Sequence, residues 1–167
     1  MTTIEIIVLG TPAPQGSKHG YAVKAKGAYT GKVAQVESSA KVKPWRMAVK
    51  YAALEALPTR DGSAILTGAV SLEVTFRLPR PKGHYGTGRN AGTIKATAPR
   101  RPASRPDLDK LLRSTLDALG EAGVWLDDSQ VVTVVGTKHY ANNDEPPGAT
   151  IWVQSMPNTY ADLRAAS

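Results

Sequence analysis

From Ala69 to Leu78 apolar and polar side chains alternate, with Val70, Leu72, Val74 and Phe76 on one side and Ser71, Glu73, Thr75 and Arg77 on the other. A period of two is that of a half-buried strand. Ile4 to Leu9 is a shorter β-branched run that stops at Gly10-Thr-Pro-Ala-Pro-Gln-Gly, an opening strand entering a turn. Ser17 to Ser39 mixes Gly, Lys and scattered apolar positions (Tyr21, Val23, Tyr29, Val33, Val36) and reads as an irregular basic hairpin. From Pro44 to Leu57 the apolar spacing becomes helical, with Pro44 suited to a first turn and Pro58 beyond the end. Leu108, Leu111, Leu112, Leu116 and Leu119 form a second helical stripe, closed by Gly120 or Gly123. Val131 to Tyr140 and Ala149 to Gln154 read as a strand pair around Asn142-Asn-Asp-Glu-Pro-Pro-Gly, and the tail from about Pro157 as a short helix or a frayed end.

The order strand, hairpin, helix, strand, helix, strand, strand predicts an α/β fold with one small mixed β-sheet and two main helices. A chain of 167 residues with 41% apolar content suffices for one core, and no repeat or linker divides it. No apolar run is long enough to cross a bilayer, and Met1-Thr-Thr-Ile-Glu lacks a signal-peptide pattern, so a cytoplasmic location is expected. The absence of cysteine excludes thiolate metal sites, disulfides and thiol nucleophiles, leaving oxygen and nitrogen groups to carry any chemistry.

Charge sharpens this picture. The net charge is +7, yet the segment from about 79 to 106 holds Arg80, Lys82, Arg89, Lys95, Arg100, Arg101 and Arg105 with no acid. Without it, basic and acidic residues balance at 14 each. This Pro- and Gly-rich stretch has no apolar period and reads as a long loop, disordered without a partner. A second basic run from Lys18 to Lys50 carries eight Lys or Arg against Glu37 alone. Such asymmetry points to a polyanionic partner.

The acids crowd where the basic loop ends. Asp107, Asp109 and Asp117 lie on the second helix or at its start, and Asp127-Asp128 follows in Gly123-Val-Trp-Leu-Asp-Asp-Ser-Gln. Singly each has an ordinary role. Asp107 suits an N-cap, Asp109 the positive end of the helix dipole, and Asp117 a surface pair with Arg113 four residues earlier. Together, between basic segments, they suit a divalent cation held against a phosphate backbone, the layout of a metal-dependent nuclease. An antiparallel return after the helix tends to bring Asp127-Asp128 to its C-terminal end, so spacing leaves open whether that pair meets Asp107 and Asp109.

Arg105-Pro-Asp-Leu-Asp-Lys-Leu, then Asp117-Ala-Leu, then Gly123-Val-Trp-Leu-Asp-Asp-Ser-Gln-Val-Val resembles the signature of the RusA family of Holliday junction resolvases, typical of phages and prophages. Gly10-Thr-Pro-Ala-Pro-Gln-Gly-Ser-Lys and Lys43-Pro-Trp-Arg resemble phage members more loosely. The resemblance implies a single RusA-like nuclease domain over residues 1–167, in the host cytoplasm if phage-encoded. It implies a homodimeric, Mg2+-dependent endonuclease, with Mn2+ as a substitute, that makes paired nicks in four-way DNA during recombination and repair. It also assigns Asp107, Asp109 and Asp128 to the metal, with Asp127 as a reserve. The family's helix lysine falls on Arg113, which keeps the charge and can grip phosphate but cannot serve as a proton donor at neutral pH. Lys110 is the other candidate to hold the scissile phosphate.

In that reading Lys18, Lys82, Arg89, Lys95, Arg100, Arg101, Arg105 and Lys110 bind branched DNA through its phosphates. Tyr29 and Tyr85, in basic loops, are candidates for stacking on unpaired bases. Trp45, Trp125 and Trp152 read as core, and His19, His84 and His139 lack ligand spacing. Two rivals remain, a flap or replication-fork nuclease and a non-catalytic DNA-binding protein whose carboxylates only cap and solubilise a helix.

Overall fold

A computed structural model describes residues 2–16, 19–25, 28–36, 40–58, 66–142 and 144–159. Lys18 and the tail beyond 159, for which expectations were drawn above, lie outside these residues. The described elements are β1 (Thr3–Leu9), β2 (His19–Ala25), β3 (Ala28–Val36), α1 (Val42–Ala56), β4 (Val70–Leu78), α2 (Leu108–Glu121), β5 (Val131–Tyr140) and β6 (Gly148–Ser155). They form the expected α/β fold: two helices, a mixed four-stranded sheet in the order β1-β6-β4-β5, and a separate β2-β3 hairpin.

The alternation seen in sequence builds the sheet. Ile4, Ile6 and Val8 of β1 and Val70, Leu72, Val74 and Phe76 of β4 are buried, while Glu5, Ile7 and Glu73 point to solvent. Helices α1 and α2 pack on one another, α1 against β1 and α2 against β5, giving two layers around one core. Trp45 and Trp125 lie in that core as expected. Trp152 does not: it is 43% exposed, because it occupies an outward position of β6 between Glu5 and Glu73.

The last two strands do not pair with each other. β6 runs antiparallel to both β1 and β4, and β5 runs parallel to β4. Parallel neighbours need a crossover, and α2 supplies it. This arrangement leaves β5 at a free edge with Val132, Val134 and Val135 exposed.

The basic segment is ordered, contrary to the expectation from its composition. It contains two single 3-10 turns, Lys82–His84 and Gly88–Asn90, and backbone bonds from Gly86 to Thr93 and from Lys95 to His84, both 2.9 Å. Arg80 donates to the Pro99 carbonyl at 2.9 Å and lies 4.2 Å over the Tyr140 ring, which also meets His84 edge to face. Polar and aromatic anchors replace the apolar period that was missing from the sequence.

Candidate active site

Helix α2 carries the first group of acids. Asp107 occupies its N-cap position, but the side chain makes no capping bond, so this carboxylate is not spent on the helix. The chain entering that position is tied to β5: Lys138 Nζ donates to the carbonyls of Ser104 (2.9 Å) and Pro106 (2.8 Å). Lys138 was not foreseen. Its only sequence signal was a lysine in a β-branched strand, and its role appears once the end of the basic loop is seen to lie on β5.

Asp109, in the first turn, is exposed and takes a 2.9 Å ion pair from Lys110. The hydrogen bond from Lys110 holds the Asp109 carboxyl below the usual aspartate range. Arg113 is exposed on the same face, one turn on. Asp117 is not its partner. Asp117 Oδ2 accepts from Gln15 Nε2 at 2.8 Å and stands 3.7 Å from the Arg46 guanidinium, which also pairs with Glu121. The reason is that Gly10–Gly16 runs along α2: Ser114 Oγ donates to the Ala13 carbonyl at 2.7 Å, and Gln15 N to that of Lys110 at 3.0 Å.

The second acid pair sits in a short 3-10 turn, Asp128–Gln130. Asp127 caps it, accepting from Ser129 N at 2.8 Å, while Gln130 Oε1 accepts from the backbone N–H of Leu126 and Asp127. Hydrogen bonds from the Ser129 side chain and backbone lower the Asp127 pKa, and the capping gives this residue a structural role in the turn. Asp128 instead accepts a 2.9 Å bond from Trp125 Nε1, so a buried indole aims it at α2.

These residues share a hollow of about 410 Å³ lined by Asp109, Leu112, Arg113, Leu116, Asp117, Asp128, Val131 and Val134. The fold therefore brings Asp109, Arg113 and Asp128 to one surface, and adds Asp117. Asp107 does not line the hollow. Among the described residues no three acids or histidines converge closely enough to enclose a metal ion. The donors in the hollow are nonetheless hard carboxylate oxygens, with neither His nor Cys among them. Magnesium commonly binds through one or two carboxylates, retained waters and substrate phosphate, and an open set of this kind fits such an ion.

The sequence profile of endodeoxyribonuclease RusA matches residues 12–154, spanning every element from the Gly10–Gly16 turn to β6. The chain belongs to the RusA endodeoxyribonuclease family. It is also 32% identical over 159 residues to the uncharacterized protein YqaN of Bacillus subtilis (strain 168), covering 93% of this chain and 99% of that protein. Family membership gives the chain its chemical class, an endonuclease that acts on DNA.

The basic side chains of this RusA-family chain differ in how far they are engaged. Lys82, Arg89, Arg100, Arg101 and Arg105 are exposed and make no internal bond among the described residues. Lys95 is partly engaged, donating to the Gly83 carbonyl at 2.9 Å, and Lys110 is held by Asp109. Tyr29 is 70% exposed, whereas Tyr85 is half-buried and bridges to Ile94. No helix among the described residues is long and apolar enough to cross a membrane.

Proposed function

We propose that this RusA-family chain is a Mg2+-dependent, structure-selective endonuclease that resolves four-way DNA junctions by paired nicks in recombination and repair. The observation that carries the reading is the hollow shared by Asp109, Arg113 and Asp128 along α2, the helix into whose start the acid-free basic loop runs. Asp107 and Asp109 at the start of α2 and Asp128 at the far end of the hollow would supply the carboxylates for Mg2+, with Mn2+ able to substitute. When bound, the ion supplies neutralisation of phosphoryl charge and a more acidic water.

The chain's own residues account for positioning. Arg113 has no internal partner among the described residues and projects beside Asp109, suited to a two-point grip on the scissile phosphate. Its permanent charge assigns it to clamping, not to proton transfer. Lys110 favours the ionised form of Asp109. Trp125 fixes Asp128, and Lys138 fixes the entry to α2. The exposed cations of the basic loop grip DNA arms through phosphate contacts, which gives affinity without base reading.

Two matched cuts need two sites, so the working unit is a C2 dimer. The exposed valines and free edge of β5 support this, since long apolar edge strands are normally covered. Val131 and Val134 also border the hollow, which would place the dimer contact beside the chemistry.

The test is cleavage of a synthetic four-way junction alongside flap, fork and linear duplex DNA, with Mg2+, Mn2+ or chelator. Paired, metal-dependent nicks confined to the junction, lost in Asp109→Asn while junction binding is retained, are expected. Preference for flaps or forks would replace the substrate assignment. No cutting of any substrate with either metal would leave a DNA-binding protein without catalysis.

A further inference from the structure

The helix itself separates the acids of the hollow. Asp128 Oδ1 lies 3.1 Å from where a side chain at Gly120 would begin. At about 1.5 Å of rise per residue, Gly120 is roughly 16 Å along α2 from Asp109 but only about 5 Å from Asp117. Residues three apart on a helix share a face, so Asp117 is the helix acid next to Asp128. Both also line a second hollow, of about 460 Å³, which continues the first towards Arg46, Glu121 and Asp127.

Asp117 is aimed with some care. Gln15 is only 3% exposed, and its amide is used at both ends, Nε2 donating to Asp117 Oδ2 and Oε1 accepting from Arg46 at 3.2 Å. Burying an amide costs free energy unless each end is satisfied, and here the satisfied geometry admits one orientation. Arg46 already ties α1 to α2 through Glu121, so fastening the helices does not require Gln15. What Gln15 adds is a fixed Oδ2, leaving Asp117 Oδ1 without a partner among the described residues. Arg46 also offsets the repulsion of two neighbouring carboxylates.

We infer that Asp117 works with Asp128 as a cation-binding pair in the nuclease site, and that Gln15 and Arg46 are positioning residues that orient it. This rests on the proposed metal-dependent nuclease. The pair lies about two to three helical turns from Asp109, so the hollow is an elongated site with carboxylates at both ends.

The experiment compares wild type, Asp109→Asn, Asp117→Asn and Gln15→Met for Mn2+ affinity by electron paramagnetic resonance, junction cutting and thermal stability. Asp117→Asn can still accept from Gln15, so its melting temperature should stay near wild type while Mn2+ affinity and cutting each fall about tenfold to a hundredfold. Gln15→Met should weaken Mn2+ binding in the same direction and have no further effect in the Asp117→Asn background. Should Asp117→Asn not fold, Asp117→Glu, which keeps the charge towards Arg46 but displaces the carboxylate, is read the same way. Wild-type Mn2+ affinity in the Asp117 variant overturns the inference, whatever its stability. If wild type cuts and Asp109→Asn does not, that result leaves the nuclease reading intact. A wild type that neither cuts nor binds Mn2+ removes both.

Discussion

Lys138→Met isolates the strut between β5 and the start of α2. The methionine keeps the apolar stem and removes an ammonium that donates to Ser104 O at 2.9 Å and Pro106 O at 2.8 Å. One of those carbonyls is exposed and the other part-buried, so water replaces the first bond cheaply and the second less well. A hydrogen bond to a charged group contributes about 1.5–3 kcal/mol, and discounting the exposed one leaves a loss of about 2 kcal/mol. For a domain of this size that lowers the melting temperature by about 4–8 °C. Activity should suffer more than stability, because the residue after Pro106 is Asp107 and the next turn carries Asp109. A displacement of about 1 Å in a positioned group can cost about a hundredfold in rate. The assay pairs calorimetry with single-turnover junction cutting at a temperature where both proteins are folded. Wild-type cutting in a destabilised Lys138→Met protein would show that the strut holds the loop without setting the site.

Three further outcomes follow from individual contacts. Trp125→Phe keeps most of the buried ring but removes the indole donor to Asp128; cutting should fall by about tenfold or more, and an unchanged rate would mean that Asp128 is not aimed by Trp125. Gly148→Ala places a methyl group 2.0 Å from the Val8 carbonyl where β1, β6 and β4 meet, so the strands must part at a cost of about 1–3 kcal/mol, seen as a lower melting temperature and faster amide exchange in β1. In a carbon-detected NMR titration Asp109 should titrate below an ordinary aspartate, and Lys110→Met should move its midpoint up; an unmoved midpoint would deny the pair. The sign is that of a depressed acid: the interaction favours the folded state once the unfolded carboxyl ionises and is lost as pH falls through the folded midpoint.

What was legible in the sequence was what periodicity encodes. The strand of alternating residues in β4, the leucine-bearing helix and the opening strand all record which face meets the core, and burial follows the apolar positions except that Arg77 on β4 and Ser114 and Thr115 on α2 are buried as well. Strand pairing is not periodic information: nothing in β5 or β6 states that β4 lies between them, and the crossover through α2 settles it. The basic loop misled for a related reason. Its order comes from Arg80 on Tyr140, Lys95 on Gly83 and Lys138 on its last carbonyls, contacts that leave no apolar period behind.

The site divides along the same line. Asp107, Asp109, Arg113 and Asp128 were visible as residue types in a motif, but whether the acids meet depends on helix rise and on where the α2–β5 turn folds back. A return beside the C-terminal end of α2 was the geometric expectation, and Asp128 lies there, against Gly120. The same geometry moves Asp117 from a surface partner of Arg113 to the neighbour of Asp128. Its true partners, Gln15 and Arg46, are 102 and 71 positions away in the chain, beyond the reach of local spacing rules. The carboxylates at the two ends of the hollow are tied to different cations, Asp109 to Lys110 and Asp117 to Arg46, so the charge of each is partly offset where it sits. Arg113 lies midway between them along the same face, and in the proposed reading a phosphate held there would meet the arginine's charge and not its acidity.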